Sequence, residues 1–271
     1  MRWREDGSGE ALYASGHIPG ARFLDWASDI VDPHGRYAYM LASPNRFAQA
    51  MQRSGIDDDS SIVAYADEFG SGPFRLWWAC RVYGHDCVSI LDGGLERWLA
   101  EGRAMSTDPA RPRAATWTPY PGSGAGLVAH SSDVLAGSRS ATTVVLDSRP
   151  PEQFRGEAVW FETGAVPAGD DGVATTPRGR LRAGHIPWAV NIPVESLYRA
   201  DHTLKSAAEL RELFAEADAT PDRKIITHCG VGISASALLF ALHHAGFEHA
   251  SLYDASWEEW GRDPDLPVTR P

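Results

Sequence analysis

The feature that most constrains the fold of this chain is an internal repeat. "VAYADEFGSGPFRLWWACRVYGHDCVSILDGGLERW" (63–98) aligns without a gap with "IITHCGVGISASALLFALHHAGFEHASLYDASWEEW" (225–260), and matched residues lie 162 positions apart. A shorter string, "GHIPGA" at 16–21, returns as "GHIPWA" at 184–189. A register that holds over 36 positions is not expected by chance. The sequence therefore predicts two copies of one domain.

The segment between the copies has the composition of a linker. "EGRAMSTDPARPRAATWTPYPGSGAGL" is rich in proline, glycine and serine, which is typical of connecting segments. We predict a first domain at 1–103, a linker at 104–126 and a second domain at 127–271.

Strand and helix patterns alternate within each copy. In the second copy "TTVVLD" (142–147) and "KIITH" (224–228) are typical of buried strands. Ser206 and Glu209 form a capping box at the start of a helix, and Gly246 is positioned to end a later, largely apolar one. Such alternation predicts α/β domains, each with a parallel sheet flanked by helices on both faces.

The first strand of the second copy has no counterpart in the first copy. The second copy opens with a strand that ends just before Arg149, and Arg149 matches Arg2. Only Met1 precedes Arg2, in the place of Ser148, so no residues remain for the matching strand. We therefore expect the first strand of domain 1 to be missing, as it would be if the true start lay upstream of Met1.

Composition narrows the class of function. The formal net charge is −11 and the pI is about 5.3, which disfavours nucleic acid and anionic membranes as partners. A small anionic substrate needs only a locally positive pocket. Three cysteines do not make a disulfide framework. No apolar run is long enough to span a bilayer, and no C-x-x-C pair or histidine cluster suggests zinc. We expect a reducing, cytoplasmic setting.

Cys229 stands out from the other two cysteines. It follows the predicted strand "KIITH" and precedes the glycine-containing stretch "GVGIS", after which a helix begins. Active sites in open α/β sheets lie beyond the carboxyl ends of the strands. Cys80, within "LWWACRVYG", and Cys87 fit inert, structural positions instead.

The loop after Cys229 predicts an anion-binding nest. The loop can curl so that successive backbone N–H groups point inward, namely those of Gly230, Val231, Gly232 and Ile233. The helix start adds partial positive charge. That environment favours the thiolate, which is the reactive nucleophile. The Ser234 hydroxyl is either a further donor to the nest or the N-cap of the helix. In the ungapped alignment the first copy has Asp67 in place of the cysteine, so we expect one active and one inactive copy.

Five motifs in order resemble one known family. "GHIPGA", "ILDGGLERW", "DSRPPEQFRGE", the six-residue loop "CGVGIS" and "YDASWEEWG" together resemble tandem-domain sulfurtransferases of the rhodanese and mercaptopyruvate type, over nearly the whole chain. The resemblance implies two five-stranded parallel domains, of which the second carries the active cysteine.

The resemblance also implies a reaction. Cys229 would take sulfur from thiosulfate or 3-mercaptopyruvate as a persulfide. An acceptor such as cyanide, a small thiol or a reduced thioredoxin-like protein would then remove it. No metal or organic cofactor is implied.

Two arginines are candidates for binding the anionic end of the donor. Arg149 follows the strand end "VVLDSR", which opens on the same side of the sheet as Cys229, and Arg155 lies six residues further on. The guanidinium fork matches carboxylate and sulfonate-like oxygens. A structural ion pair with Asp147 or another nearby acid is the alternative. His228 either tunes the thiolate or is structural.

Two other functions share these features. Cysteine phosphatases have an arginine six residues after the cysteine, but Ala235 stands there. A non-catalytic sulfur carrier or a rhodanese-like binding module would retain the scaffold without turnover.

The donor is left open by the sequence. Gly230 and Val231 stand where rhodaneses proper tend to have arginine and lysine, so the loop resembles the mercaptopyruvate type. That type often has a histidine where this chain has Tyr39 in "YML", and Ala27 stands where an acidic partner is expected.

The second copy also contains a 21-residue insertion within 157–182. A long insertion without recognisable structure is usually functional or disordered. Its place between Arg155 and "GHIPWA" allows it to line the pocket, with Trp160 or Phe161 as an apolar wall.

Overall fold

The computed structural model describes residues 8–67, 70–161 and 164–270. They form two compact units. The N-terminal unit comprises the chain up to Gly35 together with Leu41–Ala125, and the C-terminal unit comprises Arg36–Met40 together with the chain from Gly126 onward. The division after Ala125 falls inside the predicted linker, 104–126. The predicted domain bounds otherwise stay a prediction.

The N-terminal unit contains five helices and two strands among its described residues. The strands pair in parallel. The elements are Ser8–Ser15 (α1), Trp26–Asp29 (α2), Pro44–Arg53 (α3), Ile62–Ala64 (β1), Gly72–Val82 (α4), Val88–Ile90 (β2) and Gly94–Ala100 (α5). The predicted loss of the first strand concerns Met1 and Arg2. Both lie outside the described residues, so this also stays a prediction.

The C-terminal unit is built around a parallel sheet of five strands in the order β3-β11-β10-β4-β9. This confirms the α/β class, and the predicted strands are present. All strands of the unit, in chain order, are Val128–Ala129 (β3), Thr143–Asp147 (β4), Ala158–Phe161 (β5), Gly164–Pro167 (β6), Val173–Thr176 (β7), Gly179–Arg182 (β8), Ala189–Asn191 (β9), Lys224–His228 (β10) and Ala250–Tyr253 (β11).

The centre of this sheet explains its apolar strand sequences. β4 and β10 each have neighbours on both edges, and four of the five residues in each strand are buried. Strands enclosed in this way read as continuous apolar runs. Their carboxyl ends meet at Asp147 and His228, which lie opposite each other.

Two helices of the C-terminal unit have an end where a sequence signal predicts it. Ser206 and Glu209 form the predicted capping box of α8. α9 packs on β10 and β11 and ends before Gly246, whose φ of +89° suits a left-handed C-terminal position. The helices are Ser131–Gly137 (α6), Pro151–Phe154 (α7), Ala207–Glu216 (α8), Ser234–His244 (α9) and Ser256–Trp260 (α10), with 3₁₀ turns at Ala125–Leu127 and Val194–Leu197.

The insertion is not structureless. It forms two antiparallel hairpins, β5 with β6 and β7 with β8. The expectation of an irregular segment is therefore wrong, because each pair of short strands satisfies its own backbone hydrogen bonds.

Strand register shows that the ungapped alignment of the two copies slips by one residue. Ile62 lies opposite Val88 in the N-terminal unit, and Ile225 lies opposite Ala250 in the C-terminal unit. Val88 and Ala250 are 162 residues apart, as aligned, but Ile62 and Ile225 are 163 apart. β1 and β10 are therefore equivalent with a shift of one residue.

The same shift moves the counterpart of Cys229. The Leu95 N–H donates to the Ala66 carbonyl at 3.0 Å, as the Trp257 N–H does to the Cys229 carbonyl at 3.0 Å. Ala66 rather than Asp67 therefore matches Cys229, and the ungapped match is wrong by one residue. An ungapped alignment cannot represent a difference of one residue in the length of the loop between the strand and the following helix. The N-terminal unit still has no cysteine at this place.

No helix among the described residues is long and apolar enough to cross a membrane.

Candidate active site

Cys229 is the first residue after β10, at the carboxyl end of a central strand. Its loop reaches the start of α9 at Ser234, so the strand–loop–helix arrangement predicted from the sequence is present. The cysteine is 3% exposed.

The start of α10 holds the beginning of this loop. The carbonyl of Cys229 accepts a hydrogen bond from the Trp257 N–H at 3.0 Å, and the carbonyl of Gly230 accepts one from the Glu258 N–H at 2.9 Å. The N–H of Cys229 donates to the Ser256 hydroxyl oxygen at 3.0 Å. Three consecutive residues of α10 thus hold three consecutive peptide groups at the start of the loop. No local pattern in the sequence predicts this contact.

These contacts orient the loop amides. In a trans peptide the N–H points opposite to the C=O. The peptides after Cys229 and Gly230 turn their carbonyls to α10, so the N–H groups of Gly230 and Val231 point away from it. Among the described residues, the N–H groups of Gly230, Val231, Gly232 and Ile233 have no hydrogen-bond acceptor. Gly232 has a φ of +77°. A left-handed residue within a loop of unpaired amides is the geometry of an anion-binding nest.

Ser234 is the first residue of α9, and Ile233 is the N-cap. The Ser234 and Ser148 hydroxyl oxygens lie 3.0 Å apart in a hydrogen bond. Ser148 also bonds to the His228 carbonyl through its N–H at 2.9 Å and its hydroxyl at 3.3 Å. The serine pair links the end of β4 to the start of α9. Sequence reasoning did not single out Ser148.

Arg149 lies in a buried ion pair with Asp147. Its Nε is 3.0 and 2.9 Å from the two carboxylate oxygens, and Nη2 is 2.6 Å from Oδ2. Nη2 also donates to the Gly184 carbonyl at 2.8 Å, and the guanidinium carbon lies 4.2 Å from the centroid of the Trp257 ring. Nη1 is buried and has no hydrogen-bond partner within the described ranges.

The charges behind the loop follow from this pair. Burial is the largest single influence and opposes ionisation of Asp147, but the charge and hydrogen bonds of Arg149, together with His228, outweigh it and lower the pKa of the carboxyl. Burial lowers the pKa of His228, so its imidazole is neutral at neutral pH. The 3.6 Å contact between His228 Nε2 and Asp147 Oδ2 is therefore not an ion pair.

Arg155 lies in a different setting. Its Nε donates to Glu157 Oε1 at 2.6 Å, and the two side chains are 49% and 57% exposed. The structure thus gives the two candidate arginines separate environments, one buried and one at the surface.

Trp160, from the insertion, lies against the cysteine loop. A Cβ placed on Gly230 would be 3.4 Å from the Trp160 Cβ and 3.5 Å from its Cγ. Tyr39 packs edge-on against Trp160, with ring centroids 6.2 Å apart. Tyr39 belongs to Arg36–Met40, the short segment that groups with the C-terminal unit. The tyrosine noted in the sequence and the insertion thus meet beside the loop.

The other cysteines occupy positions of two kinds. Cys80 is buried in α4, where burial raises the pKa of the thiol, in keeping with a structural role. Cys87 is exposed.

Family comparison supports the two-copy organisation. The family described as "Rhodanese-like domain" matches residues 4–101 and 131–263. The chain belongs to the rhodanese family. The predicted family and the predicted tandem arrangement are both confirmed.

Relatives of this rhodanese include proteins named as a sulfur carrier, as a 3-mercaptopyruvate sulfurtransferase and as a thiosulfate sulfurtransferase. The sulfur carrier protein TtuD of Thermus thermophilus is 33% identical over 96% of this chain and 87% of the relative. The 3-mercaptopyruvate sulfurtransferase of Escherichia coli K12 is 34% identical over 98% and 87%. The thiosulfate sulfurtransferase of Rattus norvegicus is 32% identical over 96% and 83%. They confirm that the chain is of the sulfurtransferase type, but their similar identities do not select a donor.

A solved structure shows the same fold. The anaerobic ergothioneine biosynthesis enzyme from Chlorobium limicola superposes with a TM-score of 0.80 at 24% identity, covering 96% of this rhodanese. This chain spans 62% of that structure.

Proposed function

We propose that this rhodanese transfers a sulfane sulfur from a small anionic donor to a thiophilic acceptor through a persulfide on Cys229. The observation that carries the proposal is the loop after β10. It has a cysteine at its start and four consecutive amides without an acceptor among the described residues. Such amides stabilise negative charge on sulfur without any metal.

The first half-reaction is a displacement at sulfur. With thiosulfate, the Cys229 thiolate attacks the outer sulfur, the donor's S–S bond breaks, and sulfite leaves with the electron pair. With 3-mercaptopyruvate, the thiolate attacks the donor's sulfur, the C–S bond breaks, and pyruvate leaves as its enolate and is then protonated. In both cases the second sulfur stays on Cys229, and its negative charge lies within reach of the nest.

The second half-reaction restores the thiolate. An acceptor attacks the outer sulfur of the persulfide, and the S–S bond breaks towards Cys229. Cyanide yields thiocyanate, whereas a thiol or a reduced thioredoxin-like protein takes the sulfur as its own persulfide. The kinetics should be ping-pong because the first product leaves before the acceptor binds. The cycle needs Cys229 as a reduced thiol, and the cytoplasm keeps thiols reduced, so we propose a cytoplasmic location.

The two arginines contribute to donor binding in different ways. Arg155 already binds an exposed carboxylate, and exposed ion pairs are readily exchanged, so it is suited to draw in the anionic end of the donor. Most donors of Arg149 are committed to Asp147 and Gly184, which leaves Nη1 as its available group. Arg155→Ala should raise the KM for the donor. Arg97→Ala, which breaks a similar surface pair with Glu101, should leave it unchanged.

A second candidate function is stoichiometric sulfur carriage. It is favoured by the relative named as a sulfur carrier protein. A carrier would accept one sulfur per chain and release it only to a dedicated partner. Multiple turnovers with a small thiol or cyanide would exclude it.

The decisive assay compares both donors on purified protein. Sulfite release from thiosulfate and pyruvate release from 3-mercaptopyruvate are measured for the native chain, Cys229→Ser and Cys87→Ser. We expect turnover in the native chain and in Cys87→Ser, and none in Cys229→Ser. Full turnover of Cys229→Ser would contradict the proposal, and the ratio of kcat/KM values identifies the preferred donor.

A further inference from the structure

Ser256 has an unfavourable backbone conformation beside the cysteine. It is the first residue of α10, is completely buried and has a φ of +53°. A residue with a Cβ is disfavoured in this left-handed region and persists there only where its surroundings hold it. The N-terminal unit has Gly94, with a φ of +56°, at the equivalent position. Both units therefore adopt this conformation, and in the N-terminal unit it is adopted by a residue without a side chain.

The side chain of Ser256 has a specific task in the C-terminal unit. Its hydroxyl oxygen accepts the hydrogen bond from the Cys229 N–H at 3.0 Å and donates to the Tyr253 carbonyl at 2.9 Å. Glycine would relieve the strain but would leave the buried Cys229 N–H without this acceptor. The serine is thus retained at a cost in strain where a reactive cysteine needs its amide fixed.

The hydrogen bond fixes the first peptide of the loop. The neighbouring amides of Trp257 and Glu258 hold the next two carbonyls, and these contacts direct the Gly230 and Val231 N–H groups away from α10. Rotation of the peptide that carries the Cys229 N–H would therefore change the orientation of the Gly230 and Val231 N–H groups that follow it.

We infer that Ser256 is a positioning residue that holds the Cys229 peptide so that the loop amides face the sulfur. This inference rests on the proposed sulfur transfer at Cys229. It assigns to α10 a role in reactivity as well as in packing. Glycine at the matching place in the N-terminal unit accords with the absence of a cysteine there.

Two variants separate strain from the hydroxyl. Ser256→Gly removes both, whereas Ser256→Ala removes the hydroxyl and keeps the strain. We expect similar falls in donor kcat/KM, of about tenfold, in both variants. The melting temperature should fall further in Ser256→Ala. Asp218→Gly is the matched control, because Asp218 also has a left-handed φ, +57°, but is exposed at the end of α8.

The alkylation rate of Cys229 distinguishes positioning from stability. Iodoacetamide is applied at neutral pH in a Cys87→Ser background, and modification of Cys229 is followed by peptide mass spectrometry. Lost orientation of the amides should slow alkylation, whereas mere loosening would expose the thiol and speed it. We expect about tenfold slower alkylation in both Ser256 variants and no change in Asp218→Gly.

Each outcome decides the inference. Unchanged or faster alkylation in Ser256→Gly would overturn it, as would activity losses that follow the melting temperatures of the two variants. Alkylation does not depend on sulfur transfer. A failure of the proposed function, seen as full turnover of Cys229→Ser, is therefore distinguishable from a failure of this inference.

Discussion

Arg149 and Asp147 form an ion pair in which the side chains are 2% and 0% exposed. The pair lies where β4 ends, next to the strand that delivers Cys229. A buried pair is held by its mutual attraction and hydrogen bonds against a large desolvation cost. Removing one partner therefore leaves an uncompensated buried charge next to the Cys229 loop.

Asp147→Asn should lower the free energy of unfolding by about 3–5 kcal/mol, the cost typical of breaking a buried pair. Urea denaturation measures it. Asp171→Asn, which breaks the exposed pair with Arg180, should change stability far less. Equal losses in the free energy of unfolding for the two substitutions would show that the buried pair contributes no more to stability than an exposed one.

Stability should decrease on acidification, partly through His228. The pKa of His228 is lowered from 6.5 in the folded chain, so below that pH the unfolded chain takes up a proton that the folded chain does not. The contribution is complete above pH 6.5 and is lost as the pH falls towards the folded value. Denaturation curves between neutral and mildly acidic pH should show a smaller loss for His228→Gln than for the native chain. Parallel pH dependences would contradict the assignment.

Asp147 acts in a lower pH window. Its pKa is lowered from 3.8, so its contribution is present above that value and is lost as the pH falls through the folded pKa.

The loop offers a matched pair of glycine substitutions. Gly232→Ala places a Cβ on a residue with a φ of +77°, which should cost about 1–2 kcal/mol and reduce turnover by disturbing the nest. Gly230→Ala adds a Cβ at ordinary contact distance, 3.4 Å, from Trp160, and its stability should change by less than about 0.5 kcal/mol. Thermal melts and donor kinetics of both variants test this. A Gly232→Ala variant as stable and active as the native chain would refute the predicted strain.

Trp160 should control access to the cysteine loop. Trp160→Ala removes the ring that packs on Gly230 and Tyr39, so Cys229 should be alkylated faster by iodoacetamide. Trp160→Phe retains an aromatic wall and should behave more like the native chain. Equal alkylation rates in all three proteins would show that the insertion does not cover the loop.

Local signals in the sequence predicted several strands and helices of the C-terminal unit correctly. Buried apolar runs identified β4 and β10, and the capping box at Ser206 identified the start of α8. These features depend on neighbours within a few residues. The internal repeat then predicted that the same order of strands and helices occurs in two domains.

Contacts between distant segments could not be predicted in this way. The role of Ser256 depends on a left-handed backbone and on a partner 27 residues away. The sequence offers the pairing of Arg149 with Asp147 only as an alternative to substrate binding, because both charges are visible in the sequence but their burial is not. The shift from Asp67 to Ala66 required the strand register.

The persulfide itself tests the central claim most directly. The native chain is incubated with thiosulfate or 3-mercaptopyruvate without an acceptor, and intact and peptide masses are then recorded under non-reducing conditions. We predict that the peptide containing Cys229 gains the mass of one sulfur atom, and that adding cyanide or a thiol removes it. A chain that turns over donor while Cys229 carries no added sulfur, or one that carries it on Cys87 instead, would contradict the account.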